Sequence, residues 1–118
     1  MGLRIGGWNI HGWKRNKSEA IVALAELRLD VLVVSEPWMK SAGKVVGYRW
    51  LEFKDNRSRR AKVVMLVRQG IDAELLKGSS RRMVWVKLHD KDSRKEVVVV
   101  GGVYGYCNGK GGRKGREW

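Results

Sequence analysis

The chain has 118 residues, of which 43% are apolar and one is proline, and its 25 Lys and Arg outnumber 12 Asp and Glu to give a net charge of +13. This length allows one domain, and the apolar fraction excludes an intrinsically disordered chain. No apolar run is long enough for a membrane span or a secretory leader, and the single cysteine, Cys107, excludes an internal disulfide and a cysteine-rich zinc site. We therefore expect an intracellular protein, nuclear or cytoplasmic, without a membrane partner.

The first part of the chain predicts a β-α-β unit. Residues 3–9 form a short strand, and Ser18 is a candidate N-cap for a helix over residues 18–28. The predicted apolar face of that helix consists of Ile21, Leu24 and Leu27. Residues 31–35 form a β-branched run that is typical of a strand covered on both faces. A crossover helix between two strands makes them parallel neighbours.

The rest of the chain predicts short antiparallel strands separated by polar turns. These strands cover residues 48–53, 61–68, 71–76, 83–88 and 96–104. The apolar run at 97–100 indicates a buried central strand. Residues 106–118 are rich in Gly, Lys and Arg without periodicity and predict a mobile tail. The predicted fold is therefore an α/β domain over residues 1–105, with a β-α-β unit followed by antiparallel strands.

Three polar residues stand at the ends of predicted strands, where α/β sheets place ligand-binding groups. Asn9 ends the first strand, Glu36 follows the second, and Tyr104 ends the last. A carboxylate, an amide and a phenol suit a cation or a phosphate, although any strand also leaves the core through polar residues. His11 is either a ligand or a solvated turn residue.

The positive charge is concentrated in the second half of the sequence. Residues 1–53 contain 8 basic and 5 acidic side chains, whereas residues 54–118 contain 17 and 7. This distribution favours a nucleic acid as partner, with solubility as the alternative explanation. The residues expected to contact nucleic acid are Arg57, Arg59 and Arg60, which would bind phosphates, and Trp13 and Trp38, which would stack on bases.

Three segments resemble the amino-terminal half of the endonuclease/exonuclease/phosphatase superfamily, particularly endonucleases fused to retrotransposon reverse transcriptases. Residues 3–12 resemble the opening strand that ends in Trp-Asn-x-x-Gly, and residues 27–38 resemble the second strand that ends in a metal-binding Glu. Residues 97–104 resemble a later strand that ends in Val-Tyr. The order and separation of the three segments also agree with the family.

The resemblance implies half of a four-layer α/β-sandwich from a DNA endonuclease that hydrolyses phosphodiester bonds with Mg²⁺ or Mn²⁺. It implies that Glu36 and Asn9 bind the metal and that Asn9 orients the scissile phosphate or a metal-bound water. Tyr104 would contact the phosphate. In this interpretation Asn9, Glu36 and Tyr104 are the catalytic residues, and the partner is DNA.

The sequence also departs from the family. The Asp-x-Asn pair and the terminal Ser-Asp-His of the family's second half are absent, and His11 replaces the usual Asn or Asp. We therefore expect the 118 residues to be inactive alone, to expose the inner face of one sheet, and to have the missing carboxy-terminal half as a possible partner. The alternatives are a non-catalytic, basic nucleic-acid-binding remnant and a module that pairs with a complementary half through its sheet.

Overall fold

The computed structural model describes residues 2–54, 60–89 and 97–105. In chain order, these ranges contain β1 (Ile5–Asn9), α1 (Trp13–Glu26), β2 (Val31–Ser35), β3 (Tyr48–Leu51), β4 (Val63–Arg68), β5 (Asp72–Leu75), β6 (Met83–His89) and β7 (Val97–Val103). Arg57, Arg59 and the predicted tail at 106–118 lie outside the described residues. Within the described ranges, the one helix is too short and too polar to cross a membrane.

The predicted β-α-β unit is confirmed. β1 and β2 pair in parallel, with Ile5 opposite Val31 and Asn9 opposite Ser35. The intervening helix α1 packs on one face of the sheet, where its buried residues join a core with side chains of β2 and β4. The parallel pairing brings the carboxyl ends of both strands to the same edge.

The start of α1 differs from the prediction. The helix begins at Trp13 rather than Ser18, and its N-cap Gly12 makes no side-chain capping bond. The Trp13 side chain is 2% exposed, and its backbone N–H donates to the carbonyl of Pro37 at 2.8 Å, so packing and a neighbouring loop replace the predicted Ser cap.

The buried face of α1 also differs from the predicted face. The helix buries Trp13, Ala20 and Leu24, whose spacings of seven and four residues keep them on one side of a 3.6-residue turn. Ile21 and Leu27, at the three-residue spacing used for the prediction, are 41% and 57% exposed. Because an α-helix has 3.6 residues per turn, residues at a constant spacing of three move progressively around the helix and away from its buried face.

Four strands form the first sheet, in the order β1-β2-β4-β3. β4 is antiparallel to both of its neighbours and alternates between two cores. Val64 and Leu66 face α1, whereas Val63, Met65 and Val67 face the opposite side. The continuous apolar sequence of β4 is therefore that of a strand covered on both faces.

The remaining strands form a second, antiparallel sheet in the order β5-β6-β7. Its inner face, with Val84, Val86 and Leu88 of β6, packs on the β4 residues Val63 and Met65. The expectation that one sheet would have an uncovered inner face is wrong. The alternating pattern of β6 gives a second amphipathic sheet, which buries its apolar face against the first.

β7 differs from the predicted buried central strand. It lies at the end of the described three-stranded sheet, and Val99 is 53% exposed. Two glycines let this strand pack closely. A Cβ at Gly102 would lie 2.6 Å from Cγ1 of Val33 in β2, and a Cβ at Gly101 would overlap the Trp85 ring of β6. The close approach brings the end of β7 towards the end of β2.

We expect Trp13→Ala to lower the free energy of unfolding by about 3–5 kcal/mol, because it removes a large buried side chain from the α1 core. Trp38 is the matched control, since it is 50% exposed, and Trp38→Ala should cost less than about 1 kcal/mol. Urea denaturation followed by circular dichroism measures both. Equal losses for the two variants would contradict the assignment of Trp13 to the core.

Candidate functional site

The candidate site forms where β1 and β2 end. Asn9 is the last residue of β1, and Glu36 directly follows β2. Three backbone hydrogen bonds join the loops beyond the strands: Ile10 N–H to Ser35 O at 3.0 Å, Gly12 N–H to Glu36 O at 2.9 Å, and Trp13 N–H to Pro37 O at 2.8 Å. The two loops therefore hold each other in one arrangement.

The backbone of the site is strained at three residues. His11, Glu36 and Trp38 have φ values of 49°, 53° and 53°, in the left-handed region that non-glycine residues rarely adopt. Such a conformation costs on the order of 1–3 kcal/mol per residue and persists only where surrounding contacts enforce it. The loop bonds provide this enforcement, together with the Glu36 N–H, which donates to the Lys62 carbonyl at 2.8 Å.

Hydrogen bonds from several segments converge on the Glu36 carboxylate, whose side chain is 17% exposed. The Tyr104 hydroxyl donates to Oε2 at 2.9 Å, and Asn9 Nδ2 donates to the same oxygen at 3.3 Å. His11 Nδ1 lies 2.9 Å from Oε1. The structure thus brings together Asn9, Glu36 and Tyr104, the three residues predicted from sequence, and adds His11.

Tyr104 reaches Glu36 across 68 positions of sequence. Its backbone N–H donates to the Arg82 carbonyl at 2.7 Å, and the Arg82 guanidinium lies 4.9 Å from the centre of its ring. The cation over the ring face and the backbone bond fix the direction of the phenol. The hydroxyl is therefore aimed at the carboxylate by the second sheet.

Asn16 stabilises the loop after β1 and is a residue that the sequence interpretation missed. Its side-chain Nδ2 donates to the carbonyl of Ile10 at 2.8 Å and to that of His11 at 3.3 Å. The predicted helix start at Ser18 placed Asn16 outside the helix. Once α1 begins at Trp13, Asn16 lies in the first turn, from which an amide can bond backward to a preceding loop.

Trp38 forms one wall of the site. Its ring covers Gly12, where a Cβ would lie 3.0 Å from ring atom Cε3, and it meets the His11 ring edge-on with centroids 5.9 Å apart. Half of the Trp38 side chain remains exposed. The structure therefore leaves Trp38 accessible to a ligand, as its predicted role requires.

Trp13 does not share this accessibility. Its ring is buried and packs edge-on against Trp50, with centroids 5.2 Å apart. Gly43 lies so close that a Cβ there would be 2.8 Å from Trp13 Nε1. The prediction that Trp13 stacks on a base is therefore wrong, because the loop position chosen from sequence is the first turn of a packed helix.

Four basic residues, here called the basic rim, lie beside the site: Arg60, Lys62, Arg81 and Arg82. The backbone N–H of Lys62 donates to Arg81 O at 2.8 Å, and the Arg81 side-chain Nε donates to Arg60 O at 2.9 Å. Because Lys62 O also accepts the Glu36 N–H, the rim is adjacent to the Glu36 backbone. Arg60, one of the residues predicted to contact phosphate, belongs to the basic rim.

Sequence reasoning did not place the other three rim residues beside Glu36. The charge clusters around residues 54–62 and 81–82 are visible in the sequence, but their position is set by strand pairing. Val63 of β4 lies opposite Ser35 of β2, so the residue before Val63 is next to Glu36. The start of β6 lies beside that residue through the bond between Lys62 and Arg81.

The site offers few conventional metal ligands. Among the described residues, no three His, Cys, Asp or Glu side chains form a group that could hold a metal ion. Mg²⁺ nevertheless binds proteins through one or two carboxylates, with water and substrate phosphate completing its coordination. A single carboxylate with both oxygens oriented by neighbours fits this mode, so Glu36 is the residue that could hold a cation.

Comparison with known proteins finds similarity in structure only. No family model and no curated protein matches the sequence. The endonuclease domain of TRAS1, a telomere-specific non-LTR retrotransposon, superposes with a TM-score of 0.68 and 15% identity, over 88% of this chain and 46% of that domain. The AP endonuclease LMAP from Leishmania major superposes with a TM-score of 0.59 and 18% identity, over 83% of this chain and 38% of that protein.

These superpositions establish the fold. The chain shares its α/β fold with these two endonuclease structures, and the predicted half of an α/β-sandwich is confirmed. It spans less than half the length of either structure.

We expect Gly12→Ala to lower the free energy of unfolding by about 1 kcal/mol or more, since its φ of 104° disfavours any side chain and the added Cβ meets Trp38. The matched control is Gly2→Ala, because no atom lies within 4 Å of a Cβ at Gly2. Chemical denaturation compares the stabilities, and the NMR signal of the Trp38 indole N–H reports its displacement. An unshifted Trp38 signal with unchanged stability would contradict this packing.

Proposed function

We propose that these residues are the cation- and phosphate-binding part of a nuclease site that hydrolyses a phosphodiester bond in DNA. The chain would be the amino-terminal portion of a retrotransposon-type endonuclease. The observation that carries the proposal is the convergence of Asn9, His11 and Tyr104 on the single carboxylate of Glu36, at the carboxyl ends of two parallel strands. The fold shared with two endonucleases supports it.

The charge distribution supports a nucleic-acid substrate. The net charge of +13 favours a polyanion, and the basic rim brings the backbones of four basic residues beside the candidate site. Each phosphate neutralised by such a residue releases condensed counterions, which drives binding. The exposed ring of Trp38, which meets the His11 ring edge-on, is suited to stack on an unpaired base.

Each side chain has a distinct part in this proposal. Glu36 holds Mg²⁺ or Mn²⁺, and Asn9 keeps the carboxylate oriented while its carboxamide is available to a phosphate oxygen. The Tyr104 hydroxyl donates a hydrogen bond to Glu36 Oε2 and can instead donate to a phosphate oxygen when substrate binds. The bound cation would supply neutralisation of the phosphate charge and polarisation of the phosphorus–oxygen bond.

The proposed activity needs more than this chain. Hydrolysis also requires activation of the attacking water and stabilisation of the leaving oxygen. The family resemblance implies that a histidine from the later part of the domain is central to hydrolysis, and this chain spans less than half of each matched structure. We therefore propose that the 118 residues bind the cation and DNA but do not cleave DNA alone.

We expect the wild-type chain to bind Mn²⁺ or Mg²⁺ in isothermal titration calorimetry and Glu36→Gln to lose this binding, because the amide keeps the shape but not the charge. Glu74→Gln is the matched control, since Glu74 is exposed on β5. The same three proteins should leave supercoiled plasmid intact with either metal.

Two outcomes would contradict parts of the proposal. Cation binding that survives Glu36→Gln would remove the assigned site and favour the alternative, a basic nucleic-acid-binding remnant without chemistry. Nicking by the wild-type chain that disappears in Glu36→Gln would support the nuclease but overturn its inactivity in isolation.

We expect Arg60→Ala and Lys62→Ala to reduce the slope of log Kd against log salt concentration by about 0.9 each, the value for one lost phosphate contact. Arg28→Ala is the matched control, since Arg28 precedes β2 and so lies at the other edge of the sheet. Fluorescence anisotropy with labelled duplex DNA measures the slopes. Equal slopes for all three variants would show that the rim does not contact the DNA.

A further inference from the structure

The two oxygens of Glu36 have different neighbours. Oε2 accepts hydrogen bonds from Tyr104 at 2.9 Å and Asn9 at 3.3 Å, both from groups that carry no charge. Oε1 faces His11 Nδ1 at 2.9 Å. Because Oε2 is already occupied by two donors, a cation that approaches Glu36 has Oε1 and the imidazole nitrogen as its natural ligands.

The two atoms are close enough to bind one cation. His11 Nδ1 lies 2.9 Å from Glu36 Oε1, an ordinary hydrogen-bond separation. A cation that replaces this direct contact can therefore be reached by both side chains.

The imidazole is held in place before any cation binds. His11 has a left-handed backbone, and Asn16 Nδ2 donates to its carbonyl at 3.3 Å. The Trp38 ring contacts the imidazole ring edge-on. The His11 side chain is nonetheless 64% exposed, which leaves room for water or phosphate at the remaining coordination positions. A ligand ordered in advance loses less conformational entropy on binding.

We propose that His11 is a metal ligand alongside Glu36 and makes this site prefer first-row transition ions such as Mn²⁺ and Co²⁺ over Mg²⁺. The inference rests on the proposed function, in that Glu36 must hold a cation. Sites with nitrogen and oxygen ligands bind first-row transition ions with an affinity that rises from Mn²⁺ to Co²⁺. Mg²⁺ strongly favours oxygen ligands and retains its water. The nitrogen of His11 therefore adds affinity for one class of ion and little for the other.

The test is calorimetric titration of the 118-residue chain with MnCl₂, CoCl₂ and MgCl₂. Replacement of His11 by Asn should weaken Mn²⁺ and Co²⁺ binding by about tenfold or more and change Mg²⁺ binding by less than about threefold. The matched control is His89→Asn, since His89 is the only other histidine and lies on β6. Circular dichroism verifies that each variant is folded.

Binding of Co²⁺ reports directly on whether His11 is a metal ligand. A histidine bound to Co²⁺ through Nδ1 keeps its Nε2 proton, which gives a strongly shifted NMR signal that disappears by exchange in D₂O. We expect one such signal in the wild-type chain and in His89→Asn, and none in His11→Asn. The optical spectrum should show the weak d–d bands of six-coordinate cobalt rather than the intense bands of four-coordinate cobalt.

The outcomes separate this inference from the proposed function. If Glu36→Gln abolishes binding of all three ions while His11→Asn leaves the ratio of Mn²⁺ to Mg²⁺ affinity unchanged, His11 is not a ligand, although the cation site stands. If Glu36→Gln changes nothing, both proposals fail. Intense four-coordinate cobalt bands would contradict the water-rich, six-coordinate environment that the exposed His11 side chain favours.

Discussion

The candidate site depends on the parallel pairing of β1 and β2. Parallel neighbours end at the same edge of a sheet, and here the pairing continues into the loops through the N–H groups of Ile10, Gly12 and Trp13. The last of these bonds starts helix α1, whose buried Trp13 ring then anchors the loop to the core. The position of Glu36 is thus fixed by strand register, loop bonding and helix packing together, and none of the three acts alone.

This arrangement explains how strained backbone is tolerated beside an exposed surface. His11, Glu36 and Trp38 adopt left-handed conformations in two loops that bond to each other. Each loop supplies the partners that hold the other in place, so relaxing one strained residue would break bonds in both. A site of this kind is ordered in advance of its ligand, which lowers the entropic cost of binding.

Sequence alone predicted the parts of the fold that rest on local pattern. The β-α-β unit, the antiparallel strands and the three residues Asn9, Glu36 and Tyr104 follow from strand ends and apolar runs. The start of α1 could not be predicted, because a buried Trp13 and the Pro37 carbonyl replace a side-chain cap. Both are tertiary contacts without a local signal.

The same limit explains the other differences between sequence and structure. The alternating sequence of β6 shows that one face of the strand is apolar. It does not show whether β6 pairs with strands of the first sheet or belongs to a second sheet that packs on it. The basic rim depends on the register that places Lys62 next to Glu36, which is a pairing between distant strands. The contact of His11 with Glu36 depends on a left-handed backbone that a histidine at position 11 does not by itself indicate.

Gly102 affects both the distance between the two sheets and the position of Tyr104 at the candidate site. Its missing side chain lets β7 rest on Val33 of β2, and the chain continues two residues further to Tyr104, whose hydroxyl reaches Glu36. A bulkier residue at 102 would lift the strand by the width of a methyl group and carry the phenol with it. The position of the Tyr104 hydroxyl thus depends on the packing of Gly102 against Val33 in the apolar interior. Substitutions that change the side-chain size at Val33 or Gly102 would shift this hydroxyl relative to Glu36 without altering any residue of the site.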